Sequence, residues 1–145
     1  MADRYTAAQI IRATPFGVYA YMSTHPIHIV VKSHYLKQES APQSNRFVFA
    51  YTISITNEGD QPVTLLNRYW YICDANDKVQ EVYGEGVVGQ QPRLVQGKTF
   101  TYTSGAVLET SFGTMEGHYQ FVTDSGEAFT TAIPPFTLAD RAALH

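Results

Sequence analysis

At 145 residues the chain is long enough for one domain with its own core, and it buries about 68–70% of its unfolded surface on folding. Its formal net charge is -3 and its Lys and Arg are scattered, so no cluster tracks a phosphate backbone and no nucleic-acid partner is expected. A single cysteine, Cys73, excludes an intrachain disulfide or a cysteine-rich zinc site, and no run approaches the ~18 consecutive apolar residues of a spanning helix, so membrane insertion is not expected.

Residues 1–26 read as an N-terminal extension. The string "AAQIIRAT" offers a helical turn or two before Pro15 and Gly17 interrupt it. Strand-like patterning begins only after Met22, which is therefore the expected initiator, with the residues before it an upstream in-frame addition. The opening lacks the basic segment, apolar run and small-residue cleavage site of a secretory signal, so the expected location is the cytoplasm.

From Ile27 onward short β-rich runs alternate with turn signals. "IHIVVKSHYL" ends in a polar loop around Pro42 and Asn45. In "RFVFAYTISITN", Phe47, Phe49, Tyr51, Ile53 and Ile55 alternate with smaller or polar residues, and period two puts all five on one core-directed face. After the turn "NEGDQP", "VTLLNRYWYICD" is expected to place Leu66, Trp70 and Ile72 on a shared face, with Trp70 as the central core aromatic. The Asx-rich "DANDK" then reverses the chain into "VQEVYGEGVVG". "KTFTYTSG" follows a loop holding Pro92 and Gly97. The last pair, "GTMEGHYQFVTD" and "EAFTTAIPPFTL", is joined through "SG" as a tight hairpin. About seven strands without an intervening helix predict an all-β fold, an antiparallel two-sheet β-sandwich over residues 27–138, with 139–145 as a tail.

One string matches a ligand motif: Gly84-Glu85-Gly86-Val87-Val88-Gly89 has G-x-G-x-x-G spacing. In dinucleotide-binding domains such glycines open a helix whose amides meet a pyrophosphate. Here Gln90, Gln91, Pro92 and Arg93 follow, then more strand, so the helix that gives the motif its chemistry is missing. The glycines are read first as permitting a bulge or tight bend. A second reading is an anion-binding nest of backbone amides, with charge from Arg93 or Lys98. Tyr83, Gln90, Gln91 and Tyr102 combine apolar and hydrogen-bonding character suited to a binding patch.

Other candidates carry less. His28 and His34 lie an even number of residues apart and are expected to share a face, but His25, His28, His34 and His118 do not identify a third ligand, and no metal or cofactor is expected. Cys73 lacks a base or electropositive neighbour in sequence and reads as a small filler. Glu81, Glu85, Glu109 and Glu116 show no spacing that singles out an acid–base pair, so no catalytic residue is assigned.

The strings "RFVFAYTISITNEG", "NRYWYICDANDKVQEVYGEGVVGQQP", "FTYTSGAVLET", "GTMEGHYQF" and "IPPFTL", in this order and spacing, resemble the ApaG family over residues 27–138. The resemblance implies a fibronectin type III-like sandwich and an association with magnesium and cobalt efflux in bacteria. It also implies gene neighbourhood with diadenosine tetraphosphate hydrolysis, and a suspected protein-interaction role in eukaryotic relatives such as F-box proteins and a DNA-polymerase-delta-interacting protein. Pyrophosphate binding proposed for some relatives maps onto Gly84, Gly86 and Gly89. Tyr69 stands where many relatives have histidine, and Cys73 where threonine is commoner. The expected function is a non-enzymatic module contacting a protein partner through an edge strand or residues 84–93, with Gly84, Glu85, Gly86, Gly89, Gln90, Gln91 and Arg93 as the binding surface. The alternative is a sensor of pyrophosphate, a nucleotide polyphosphate or a divalent cation, and a phosphate-bearing small ligand belongs to that reading.

Overall fold

The structure, a computed structural model, describes Ile10–Ala13, Tyr19–Tyr21 and residues 25–144. Within the segment expected to turn helically, β1 (Ile10–Ala13) is extended and pairs antiparallel with β2 (Tyr19–Tyr21). Met22, the expected initiator, lies outside the described residues.

Two antiparallel sheets face one another. The smaller contains β3 (Ile27–Tyr35), β4 (Phe47–Asn57) and β8 (Thr99–Leu108), with β4 central. The larger runs in the order β10 (Ala128–Ala139), β9 (Phe112–Thr123), β5 (Val63–Asp74), β6 (Val79–Glu85). The two-residue β7 (Arg93–Leu94) continues the β6 edge by pairing with Val63 and Thr64 of β5. Seven long strands in sheets of this order form the antiparallel two-sheet sandwich that the strand runs predicted, of the fibronectin type III-like kind that the family resemblance implied. Among the described residues no helix is long and apolar enough to cross a membrane.

Period two on β4 buries Phe49, Tyr51, Ile53 and Ile55, with Phe47 packed at the margin. Trp70 meets Tyr51, Tyr119 and Phe136 edge-on, with ring centroids 5.3, 6.4 and 5.9 Å apart. Such edge-to-face contacts add to area burial because a ring's positive edge meets a negative face. The expectation that Leu66 shares a face with Trp70 is corrected by a register shift between Leu65 and Asn67. That bulge changes the phase of β5, so Val63 and Leu65 face inward before it and Trp70 and Ile72 after it.

Two prolines, Pro134 and Pro135, fall in β10, an edge strand, where a missing N–H breaks no central ladder. The register shift between Ile133 and Phe136 turns the end of β10 towards β3, and Ser33 Oγ donates to Thr137 O at 2.9 Å. Buried Asn57 ties the β4–β5 turn, donating from Nδ2 to Gln61 O and Leu94 O while its Oδ1 accepts from Gly59 N.

Candidate functional site

The glycine string spans the end of β6 and the hairpin that follows it. Val87 and Gln90 exchange backbone hydrogen bonds at 2.8 and 2.9 Å around the two-residue turn Val88-Gly89. Both turn residues have positive φ, 44° and 79°, the requirement of a primed hairpin turn. A β-branched residue in the left-handed region is strained, and Val88 occupies it at a half-exposed tip. Strand β7, not a helix, follows the string.

Each of the other two glycines makes room for a different neighbour. A Cβ on Gly84 would lie 2.3 Å from Arg68 Nη1, because the guanidinium rests directly on the Gly84 backbone. A Cβ on Gly86, at φ +65°, would lie 2.3 Å from Gln90 O. Arg68 Nη1 donates to Gly86 O at 3.0 Å and Glu85 O at 3.3 Å, so the loop turns carbonyls towards a cation of its own chain. The Gly86 amide donates to Leu66 O at 2.7 Å, and the Val87 and Gln90 amides serve the hairpin. Those three amides are therefore held by the protein itself. Gln91 Nε2 donates to Leu66 O. Arg93, the expected source of loop charge, makes a two-pronged pair with Asp124 through Nε and Nη2. That partner holds the Asp124 carboxyl below its usual range and the guanidinium above its own. Glu85 and Gly89 are exposed.

The Tyr102 hydroxyl, expected at a binding patch, instead meets Tyr119 hydroxyl at 2.5 Å in the core. Burial raises both phenol pKa values, so both stay neutral at any ordinary pH.

The outer face of the larger sheet holds a feature that residue-by-residue reading missed. Cross-strand register places Tyr83, Tyr69 and His118 in one row across β6, β5 and β9. Tyr69 lies with its ring centroid 4.7 Å from Tyr83 and 5.0 Å from His118. Tyr69 hydroxyl donates to Glu81 Oε2 at 2.6 Å, and burial followed by that carboxylate pushes the phenol pKa up. Partial burial lowers the His118 pKa from 6.5, which keeps the imidazole neutral at neutral pH. Tyr83 is 75% exposed and Tyr71, on the next row, 36%. Alternation in "NRYWYICD" and "VQEVYGE" was the available signal, since it puts Tyr69 and Tyr71 opposite Trp70 in facing and Glu81, Tyr83 and Glu85 together.

The remaining candidates stay apart. His28 and His34 share the outer face of β3, on the smaller sheet. Buried His25 lies 3.2 Å from Glu127 and stacks on Phe129. Cys73 is half-buried, with its thiol 3.6 Å from Asp74 O. Glu109 pairs with Lys78 at 2.9 Å. Among the described residues no three His, Cys, Asp or Glu side chains come together to hold a metal.

The ApaG domain model matches residues 37–123. The chain is 55% identical over 111 residues to the protein ApaG of Sodalis glossinidius, covering 77% of this chain and 89% of that one. It is 51% identical over 119 residues to the protein ApaG of Yersinia pseudotuberculosis, covering 82% and 95%. The crystal structure of an ApaA protein from Bordetella pertussis is similar with a TM-score of 0.78 at 45% identity, covering 79% of this chain and 94% of that one. A second X-ray structure has a TM-score of 0.78 at 46% identity, covering 82% and 90%.

Proposed function

The chain belongs to the ApaG family, and we propose that it is a non-enzymatic interaction module of the cytoplasm that engages a protein partner through edge strand β6 and the hairpin at its end. The observation that supports this is Tyr83, a large aromatic side chain left 75% exposed on that strand and packed at a tilt against Tyr69. Rigid aromatic rings with a polar tip bury much area at little entropic cost, which is why they anchor interfaces. Through this partner the module influences divalent-cation efflux, the process that the family resemblance implies. The sensor reading gains less from the geometry, because the Gly86, Val87 and Gln90 amides and the Arg93 guanidinium are engaged within the chain.

The test compares proteins retained from cell extract by the immobilised full chain and by Tyr83→Ala, quantified by mass spectrometry. A protein retained by the parent and lost with Tyr83→Ala is the expected result. An identical retained set for both would remove the reading.

A further inference from the structure

We propose that the outer aromatic row of the larger sheet receives an extended, arginine-bearing segment of the partner protein. This rests on the interaction reading above and adds the chemistry of what is bound. On β6, Glu81, Tyr83 and Glu85 project from the same face at alternate positions. Tyr83 continues into the Tyr69 and His118 rings, so an uncharged aromatic row is flanked by carboxylates on both sides. The Tyr69 hydroxyl fixes one of them, Glu81, by its 2.6 Å bond to Oε2. A carboxylate has about four acceptor positions, so it still accepts a guanidinium while bound to tyrosine.

The charge segregation is pronounced. Across β5, β6, β9 and β10 the only Lys or Arg is Arg68, and its guanidinium lies on the inner face against Gly84 and Gly86 O. The sheet's other cation, the exposed Arg93 of β7, is paired with Asp124, so no Lys or Arg of β5, β6, β9 or β10 competes for the outer row. The smaller sheet differs, carrying Lys32, His28 and His34 on the outward face of β3. A guanidinium is planar, stacks on tyrosine faces and bonds carboxylates two-pronged, which matches rings bordered by acids better than an ammonium does. An extended segment also repeats its side chains every two residues, the interval at which Glu81, Tyr83 and Glu85 recur.

The experiment is an amide-shift NMR titration of the full chain with a capped peptide of about six residues, an ordinary strand length, alternating arginine and threonine. Lysine and glutamate versions and spermine serve as comparisons. Saturable shifts centred on Tyr69, Tyr83 and His118 are expected, with the lysine peptide weaker and the glutamate peptide silent. Tyr83→Ala and Glu81→Gln, each shown to be folded by its unfolding curve, should weaken the arginine peptide about tenfold. Equal binding of the glutamate peptide, spermine matching the arginine peptide, unchanged affinity in both variants, or shifts centred elsewhere would each overturn the proposal. If the arginine peptide fails while a protein from extract is still lost with Tyr83→Ala, the cationic chemistry falls and the interaction reading stands. If both fail, both fall.

Discussion

Substituting alanine singly for Gly84, Gly86 and Gly89 should produce three different stability losses, because each glycine meets a different neighbour. At Gly89 a Cβ meets nothing within 4 Å, so only the positive φ of 79° opposes it, at about 1 kcal/mol for an L residue. At Gly86 the same backbone cost is joined by a Cβ 2.3 Å from Gln90 O. Relieving that contact means opening the reciprocal Val87–Gln90 pair, two hydrogen bonds at about 1 kcal/mol net each. The total is about 3 kcal/mol, which lowers Tm by roughly 6–12 °C in a chain of this size. At Gly84 no positive φ applies, and the close atoms are the tip of the Arg68 side chain. Displacing it sacrifices the bonds to Gly86 O and Glu85 O, but the half-buried guanidinium recovers water and alanine favours the strand, leaving a loss of about 1 kcal/mol. That loss should vanish in an Arg68→Ala background, whereas the Gly86→Ala loss should persist there. Urea unfolding followed by the fluorescence of Trp70, the chain's single tryptophan, reads all of these as midpoint shifts at constant slope. Equal losses at the three positions, a largest loss at Gly89, or additivity between Arg68→Ala and Gly84→Ala would refute the packing account.

Other substitutions test the core and the aromatic row. Tyr102→Phe or Tyr119→Phe leaves the partner hydroxyl buried and unpaired, at a cost of about 1–3 kcal/mol each, and the double variant should lose less than the sum, which a thermal-unfolding cycle measures. Gly117→Ala should fail to give soluble, folded protein or lose more than about 4 kcal/mol, since a Cβ there would lie within the backbone of β5 at Tyr69 O. A normal circular dichroism spectrum and melt for it would contradict the close strand approach. Because burial lowers the His118 pKa, the unfolded chain binds that proton more readily and stability rises with pH. The penalty is absent well above 6.5 and grows as pH falls below it, so urea midpoints of the parent should drop relative to His118→Phe on acidification, and parallel curves would count against it.

Most of the fold was legible because β4, β5 and β9 bury one face each, so their apolar residues alternate and name the core directly. What failed is local. The bulge at Leu66 adds a residue without a composition signal, and a one-residue slip moved the expected inward leucine. The glycine string was found by spacing, but its principal neighbour, Arg68, precedes Gly84 in sequence and reaches it only by strand pairing. The aromatic row has the same origin. Tyr69, Tyr83 and His118 belong to three strands and become neighbours through register, which no single-strand pattern reports.

The glycine string also shows why a motif needs its surroundings. In a dinucleotide fold, the second glycine of the string lets a pyrophosphate approach the backbone at amides that point outward. In this chain Gly84 admits a guanidinium, and Glu85 and Gly86 answer it with carbonyl oxygens, the opposite polarity. The cation satisfied there is Arg68 of β5, opposite Gly84 in the ladder, and its bonds to Glu85 O and Gly86 O tie the start of the hairpin to the sheet. Fixing that hairpin fixes the end of β6, and β6 carries Tyr83. In the proposed interaction the glycines would act indirectly: they hold the strand whose outer face presents the aromatic ring, and a ligand on the glycines themselves is not needed for them to matter.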